Sequence, residues 1–116
     1  MFKCVIAGGR DFDDLRLLTE KCDLILKDKE SVEVVSGTAR GADRLGEVYA
    51  YSKGYKVKRF PADWDEHGKA AGHIRNAEMA DYCDAAIIFW DGESKGSKNM
   101  VEQMEKRNKP YRVIKY

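Results

Sequence analysis

The stretch Ala85-Ala86-Ile87-Ile88-Phe89-Trp90-Asp91-Gly92-Glu93-Ser94-Lys95-Gly96-Ser97 decides the fold. An unbroken apolar run gives way at Asp91 to small, polar, glycine-containing residues. The run is far too short to cross a bilayer, and it has the length and character of a strand covered on both faces. Cys4-Val5-Ile6-Ala7 makes the same transition into Gly8-Gly9-Arg10-Asp11-Phe12. Further apolar runs are Val32–Val35, Tyr55–Phe60 and Tyr111–Ile114. Between the runs lie segments of 19 to 24 residues, several with helical periodicity, the mark of consecutive strand-helix-strand units.

The helical stripes are legible. Leu15, Leu18, Cys22 and Ile25 share one face, with Asp13 and Asp14 placed to cap it. Ala42, Leu45, Val48 or Tyr49, and Ser52 form a second stripe that Gly54 stops. Ala70, Ile74, Ala77 and Ala80 form a weaker third. Met100, Val101 and Met104 form a fourth, ended by Asn108 and Pro110. Strands three and five alternate or carry charge, as edges do, whereas strands one and four are continuously apolar, as centres are. Right-handed crossovers then predict one α/β domain over residues 1–116: three layers around a five-stranded parallel sheet of order 3-2-1-4-5. In such a sheet the ligand crevice opens at the carboxyl ends of strands one and four.

Composition narrows the function classes. The chain has 116 residues, 43% hydrophobic and 35% charged, and Lys plus Arg (21) nearly balances Asp plus Glu (20) for a net charge of +1. That is a globular composition with no general footprint for a nucleic-acid backbone, so nucleic acid is not the expected partner. The first residues read as a strand under way rather than a targeting segment, and no membrane association is expected. The odd set Cys4, Cys22 and Cys83 sits in apolar patterns, which suits reduced core thiols in the cytoplasm. With no Cys-x-x-Cys and only His67 and His73, no metal and no cofactor is expected.

The predicted crevice is lined by three glycine-rich loops. They hold Gly8, Gly9, Arg10 and Asp11 after strand one; Ser36, Gly37, Arg40, Gly41 and Asp43 after strand two; and Asp91, Gly92, Ser94, Gly96 and Ser97 after strand four. Glycines there allow close backbone approach, and helix amino termini offer N–H groups to an anion. Neither G-x-G-x-x-G nor a Gly-Lys-Ser/Thr loop occurs, which argues against a standard dehydrogenase, a kinase or a GTPase. The segment from Phe60 to Asn76 adds Trp64, Lys69, Arg75 and Asn76. Trp64 either caps the core beneath its loop or stacks on a ring. Arg75 opposes the dipole at the start of a helix, which points to an anionic partner: Asp63, Asp91 or a ligand. His67 and His73 read as loop hydrogen-bonding groups.

These blocks resemble the small bacterial and phage proteins of YspA type, formerly a domain of unknown function and now placed in the SLOG superfamily. Gly8-Gly9-Arg10-Asp11-Phe12-Asp13-Asp14 fits its Gly-x-Arg-x-Phe-x-Asp pattern, and Ser36 to Asp43 its Ser-Gly-x-Ala-Arg-Gly-Ala-Asp block. Pro61 to Trp64, Gly68 to Gly72, Arg75-Asn76 with Met79, and Phe89 to Gly96 with Ser97 follow in order. Thr38 stands where glycine is frequent, His73 where proline is, and Ser97 where threonine is. The resemblance implies a Rossmann-like fold and a nucleotide or nucleotide-derived ligand. In that picture Gly8 to Asp11 form the floor, Gly37 to Gly41 and Gly96-Ser97 supply N–H groups, Arg10 and Arg75 meet phosphate, and Trp64 or Trp90 covers the base. Frequent dimers in the superfamily, two sheet edges and several tyrosines outside the crevice motifs suggest a homodimer.

One superfamily branch, the cytokinin-activating phosphoribohydrolases, cleaves a base from a nucleoside monophosphate with a Pro-Gly-Gly-x-Gly-Thr-x-x-Glu motif. Met100 stands in place of that glutamate, and Glu102 lies two helical steps, about 200°, away. The expected function is therefore ligand binding. N-glycosidic hydrolysis or transfer, with Asp91, Asp11 or Asp43 beside the sugar, and a DNA-associated module are the alternatives. The last would need Lys56, Lys58, Arg59 and Lys69 on one face.

Overall fold

The computed structural model describes every residue from Met1 to Tyr116. Its elements run β1 (Phe2–Gly8), α1 (Leu15–Leu26), β2 (Val32–Ser36), α2 (Ala42–Lys53), β3 (Lys56–Arg59), α3 (Trp64–His67), α4 (Ala71–Tyr82), β4 (Ala85–Trp90), α5 (Lys95–Lys106) and β5 (Tyr111–Lys115). A 3-10 turn, Gly68–Ala70, joins α3 to α4. The strands form one sheet of order β3-β2-β1-β4-β5, parallel at every pairing, as the sequence predicts. Cys4 stands opposite Val34 on one side and Ala85 on the other.

Alternate residues of the central strands feed two separate cores. Cys4, Ile6, Ile87 and Phe89 face Leu18, Cys22, Leu26, Tyr49 and Ala50 of α1 and α2. Val5, Ala7, Ala86 and Ile88 face Met79, Ala80, Met100 and Met104 of α4 and α5. Two apolar faces explain why β1 and β4 lack alternation, since burying each Ile or Phe contributes about 1.5–3 kcal/mol. β3 and β5 are largely exposed edges.

Local signals set the helix ends. Asp14 caps α1, its carboxylate accepting from the Leu17 amide at 2.9 Å, and Gly54 ends α2 in the left-handed conformation. Tyr49 and Lys53 of α2 both reach Asp23 of α1, at 2.8 and 2.9 Å. Lys109 donates to the carbonyls of Ala80, Asp81 and Cys83 at 2.8–2.9 Å, placing a cation at the end of α4. All three cysteines are free and buried, and burial raises each thiol's pKa, so they behave as protonated core groups.

The structure corrects several stripes. Tyr49, not Val48, is the buried member of the α2 pair, and Ser52 is exposed. The inner face of α2 also carries Asp43 and Glu47. Ile74 faces outward, Ala70 belongs to the 3-10 turn, and α4 docks through Ala71, Asn76, Met79 and Ala80. Buried polar residues do not register as a stripe, so periodicity misplaced these faces. The connection after β3, read as a loop, winds into α3 under an Asp63 cap, with the Asp63 carboxylate accepting from Glu66 at 3.0 Å.

Candidate functional site

The cleft grows out of contact between two loop backbones. The Gly9 carbonyl accepts from Phe12 at 3.3 Å and from Ala42, at the start of α2, at 3.1 Å. Gly41 has φ +80°, and a Cβ there would lie 2.3 Å from the Gly9 carbonyl oxygen. Only glycine satisfies both the conformation and the approach. The loop after β1 and the amino end of α2 are thereby locked together.

Across the gap, Asp91 accepts from the Glu93 and Ser94 amides at 2.8 and 2.9 Å, and these bonds hold its carboxyl below the usual range. Ser94 caps α5, accepting from the Ser97 amide at 3.4 Å. The Trp90 indole donates to the Ser94 carbonyl at 3.0 Å and lies under Lys115. Trp90 thus braces this loop and does not line the cleft.

Arg75 and Asn76 tie the two sides together. Arg75 Nη1 donates to the Gly37 carbonyl, and its Nε donates to Asn76 Oδ1 at 3.1 Å. Asn76 Nδ2 in turn donates to the Gly96 carbonyl at 3.2 Å and to Asn99 at 3.1 Å. The anionic neighbour of Arg75 is Asp43, not Asp63 or Asp91. Asp43 is 5% exposed and accepts from the Ala39 amide at 3.1 Å. Burial pushes its pKa up to about 6, opposed by Arg75, by the Ala39 bond and by Arg10, and reinforced by Glu47. Burial also lowers the pKa of Arg75, while Asp43 raises it.

These loops enclose a cleft of about 470 Å³ at the carboxyl ends of β1 and β4. Gly8, Gly9, Arg10 and Asp11 line one side of it, and Arg40 and Asp43 a second. Trp64, Lys69, Arg75 and Asn76 form the wall from α3, the 3-10 turn and α4, and Asp91, Ser94, Gly96 and Ser97 close the far end. Four expected residues stand apart. Ser36 is fully buried, donating to Glu47 at 2.6 Å and accepting from the Thr38 amide at 3.1 Å. Gly41 packs against the Gly9 and Arg10 backbone and is not part of the lining. Gly92 turns toward Lys115. Gly37 opens instead onto an adjoining hollow.

Other lining residues escaped the sequence reading. Met79 and Met100 have helical spacing that reads as core, yet they floor the cleft. His73, read as a loop hydrogen-bonding group, lines it as an exposed side chain on α4, and His67 lies 3.8 Å from Glu66. Tyr116 donates to Asp11 at 2.7 Å and packs edge-on against Phe12, its hydroxyl covering Gly9. No local signal marks a contact spanning that much chain.

A five-stranded parallel sheet covered on both faces, with its cleft at the central strand ends, defines a Rossmann-like α/β domain. The chain belongs to the YspA, cpYpsA-related SLOG family, whose model matches residues 2–67. It is similar to the Gene 61 protein of Mycobacterium phage D29, 31% identical over 117 residues, covering 95% of this chain and 94% of that protein. Its fold is also that of DNA processing protein A (DprA) from Streptococcus pneumoniae, with a TM-score of 0.76 at 19% identity over 99% of this chain. The chain spans about half of that protein, 50% of its length. No helix is long and apolar enough to cross a membrane.

Proposed function

We propose that the cleft binds a nucleotide or nucleotide-derived small molecule. One observation carries this: Arg10, Arg40, Lys69 and Arg75 converge with half-exposed Trp64 on a cleft built from glycine-rich strand ends. Its volume falls in the range of small-ligand sites, roughly 300–1,000 Å³. Cations suit phosphate, and the indole offers a face to a base.

The distribution of cations favours a small ligand over a DNA strand, despite the name carried by the Streptococcus pneumoniae protein. Lys56 and Lys58 lie on the opposite sheet face from Val57, where Lys58 sits near the Phe60 and Tyr82 rings. Arg59 turns to Glu47 on α2 at 2.8 Å, and Lys69 is at the cleft. The four do not form one stripe. N-glycosidic cleavage is the second reading. It draws on Asp43, a cleft carboxyl with a pKa of about 6, ionised at neutral pH and able to steady a positive sugar.

Native mass spectrometry of the purified protein and a nucleotide thermal-shift panel test the proposal. Arg75 is an ambiguous probe, because its loss also removes the partner of buried Asp43. Arg10 and Arg40 are exposed and enter none of the chain's ion pairs. Arg10→Ala and Arg40→Ala should each weaken nucleotide binding by about 2 kcal/mol while leaving the melting temperature nearly unchanged. Unaltered affinity in both variants would remove the cationic argument, and base released during incubation would favour cleavage.

A further inference from the structure

The cleft is not a single chamber. A second hollow of about 520 Å³ adjoins it, reaching between the loop after β2 and the segment leading into α3. The two share Arg10, Ala39, Arg40, Trp64 and Arg75, which form a ridge between them. Each chamber by itself falls in the size range of a small-ligand site, roughly 300–1,000 Å³. The shared ridge is the most cationic part of the site, and none of its three guanidinium groups enters one of the chain's ion pairs.

The chambers differ in what they offer. The first has the Met79 and Met100 floor and the amino end of α5. The second has Thr38, Pro61 and Ala62, with no acidic group. Thr38 adopts φ +65°, a left-handed conformation that a β-branched residue rarely takes. Backbone strain of this kind concentrates at ligand-holding positions. The strained residue lines only the second chamber, so that chamber has its own sign of use.

We propose that the ligand is bipartite: two ring- or sugar-bearing halves joined by a phosphate or diphosphate, of the dinucleotide or nucleoside-diphosphate-conjugate class. The anionic link lies across Arg10, Arg40 and Arg75, and one half occupies each chamber. Trp64, 51% exposed and bordering both, stacks on one ring. This rests on the nucleotide reading above and adds to it the shape of the molecule.

Titration calorimetry with AMP, ADP, ADP-ribose, NAD and the dinucleotide pApA separates the possibilities. A bipartite compound should bind at least about tenfold more tightly than AMP or ADP, because the second half binds at high effective concentration. Ala62→Trp, which fills the second chamber alone, should erase that advantage, so that the bipartite compounds bind this variant no more tightly than AMP does. Pro61→Trp, at an exposed position, provides a second block should the first variant fold poorly. Equal affinities for mononucleotides and every bipartite compound would overturn this inference while the nucleotide reading stands. Binding of none of the five would overturn the nucleotide reading itself, and this inference with it.

Discussion

At the scale of single residues, backbone strain and burial concentrate around the cleft. Thr38 holds φ +65° with its amide bonded to Ser36 Oγ at 3.1 Å. Relief of left-handed strain is worth about 1–3 kcal/mol, and the unfolded-state freedom of glycine offsets up to about 1. Thr38→Gly should therefore gain about 1 kcal/mol, read as a raised midpoint in urea unfolding; a lower midpoint would show that the conformation is not strained. Asp43 is the second case. Its folded pKa, about 6, stands above the ordinary carboxyl value of 3.8, so the native state holds the proton more tightly than the unfolded chain. Below pH ~4 both states are protonated and the burial penalty is absent; it grows between pH ~4 and ~6 and is full above that. Stability should fall as pH rises through this window, by a few kcal/mol at most, since each pH unit separating the folded and unfolded values is worth about 1.4 kcal/mol. Asp43→Asn, whose amide oxygen can still accept from Ala39, should flatten that segment of the stability profile. An unchanged slope would mean that Asp43 titrates normally.

At the scale of elements, the distance between helix and sheet is set at one point. Gly46 of α2 lies over Ile6, and a Cβ there would come 2.8 Å from Ile6 Cγ2. Alanine at this position gains about 1 kcal/mol of helix propensity. It also forces a fully buried central-strand side chain to move, which costs about 1–3 kcal/mol. The packing term is the larger, so Gly46→Ala should destabilise by about 1 kcal/mol, measurable by denaturant unfolding. A stabilised variant would mean that α2 shifts freely. Strand identity was plain in the sequence at this scale because it depends on runs of apolar residues. The inner faces of α2 and α4 were less so, because Asp43, Glu47 and Asn76 are buried through partners on other elements.

At the scale of the molecule, a single sheet carries both cores, and the radius of gyration is 12.8 Å, close to the ~13 Å of one domain of this length. One cooperative unit over residues 1–116 is the expectation. Far- and near-ultraviolet circular dichroism should then report coincident unfolding transitions, and separated ones would mean two units. Self-association is expected as well: two large side chains, Leu24 (62% exposed) on α1 and Tyr51 (59%) on α2, stand exposed on helices away from the cleft. Sedimentation at tens of micromolar should show a dimer, and a species of only 13.2 kDa would refute it.

The sequence alone determined the order and polarity of the strands, the loops that end them and most of the cleft's residue list. These follow from signals local in the chain: unbroken apolar runs, glycine clusters and cap residues within a few positions of one another. Tertiary structure decided which of those residues face the cleft. Ser36 was drawn inward by Glu47, Arg75 was bound to Gly37 and set beside Asp43, and Tyr116 was brought over Gly9 and Asp11 from the far end of the chain. The division into two chambers arises the same way, from loops that follow different strands and meet only when the sheet assembles. The pairings of Ser36 and Arg75 offset the desolvation of buried or half-buried polar groups with partners on other segments, and no local pattern encodes those partners.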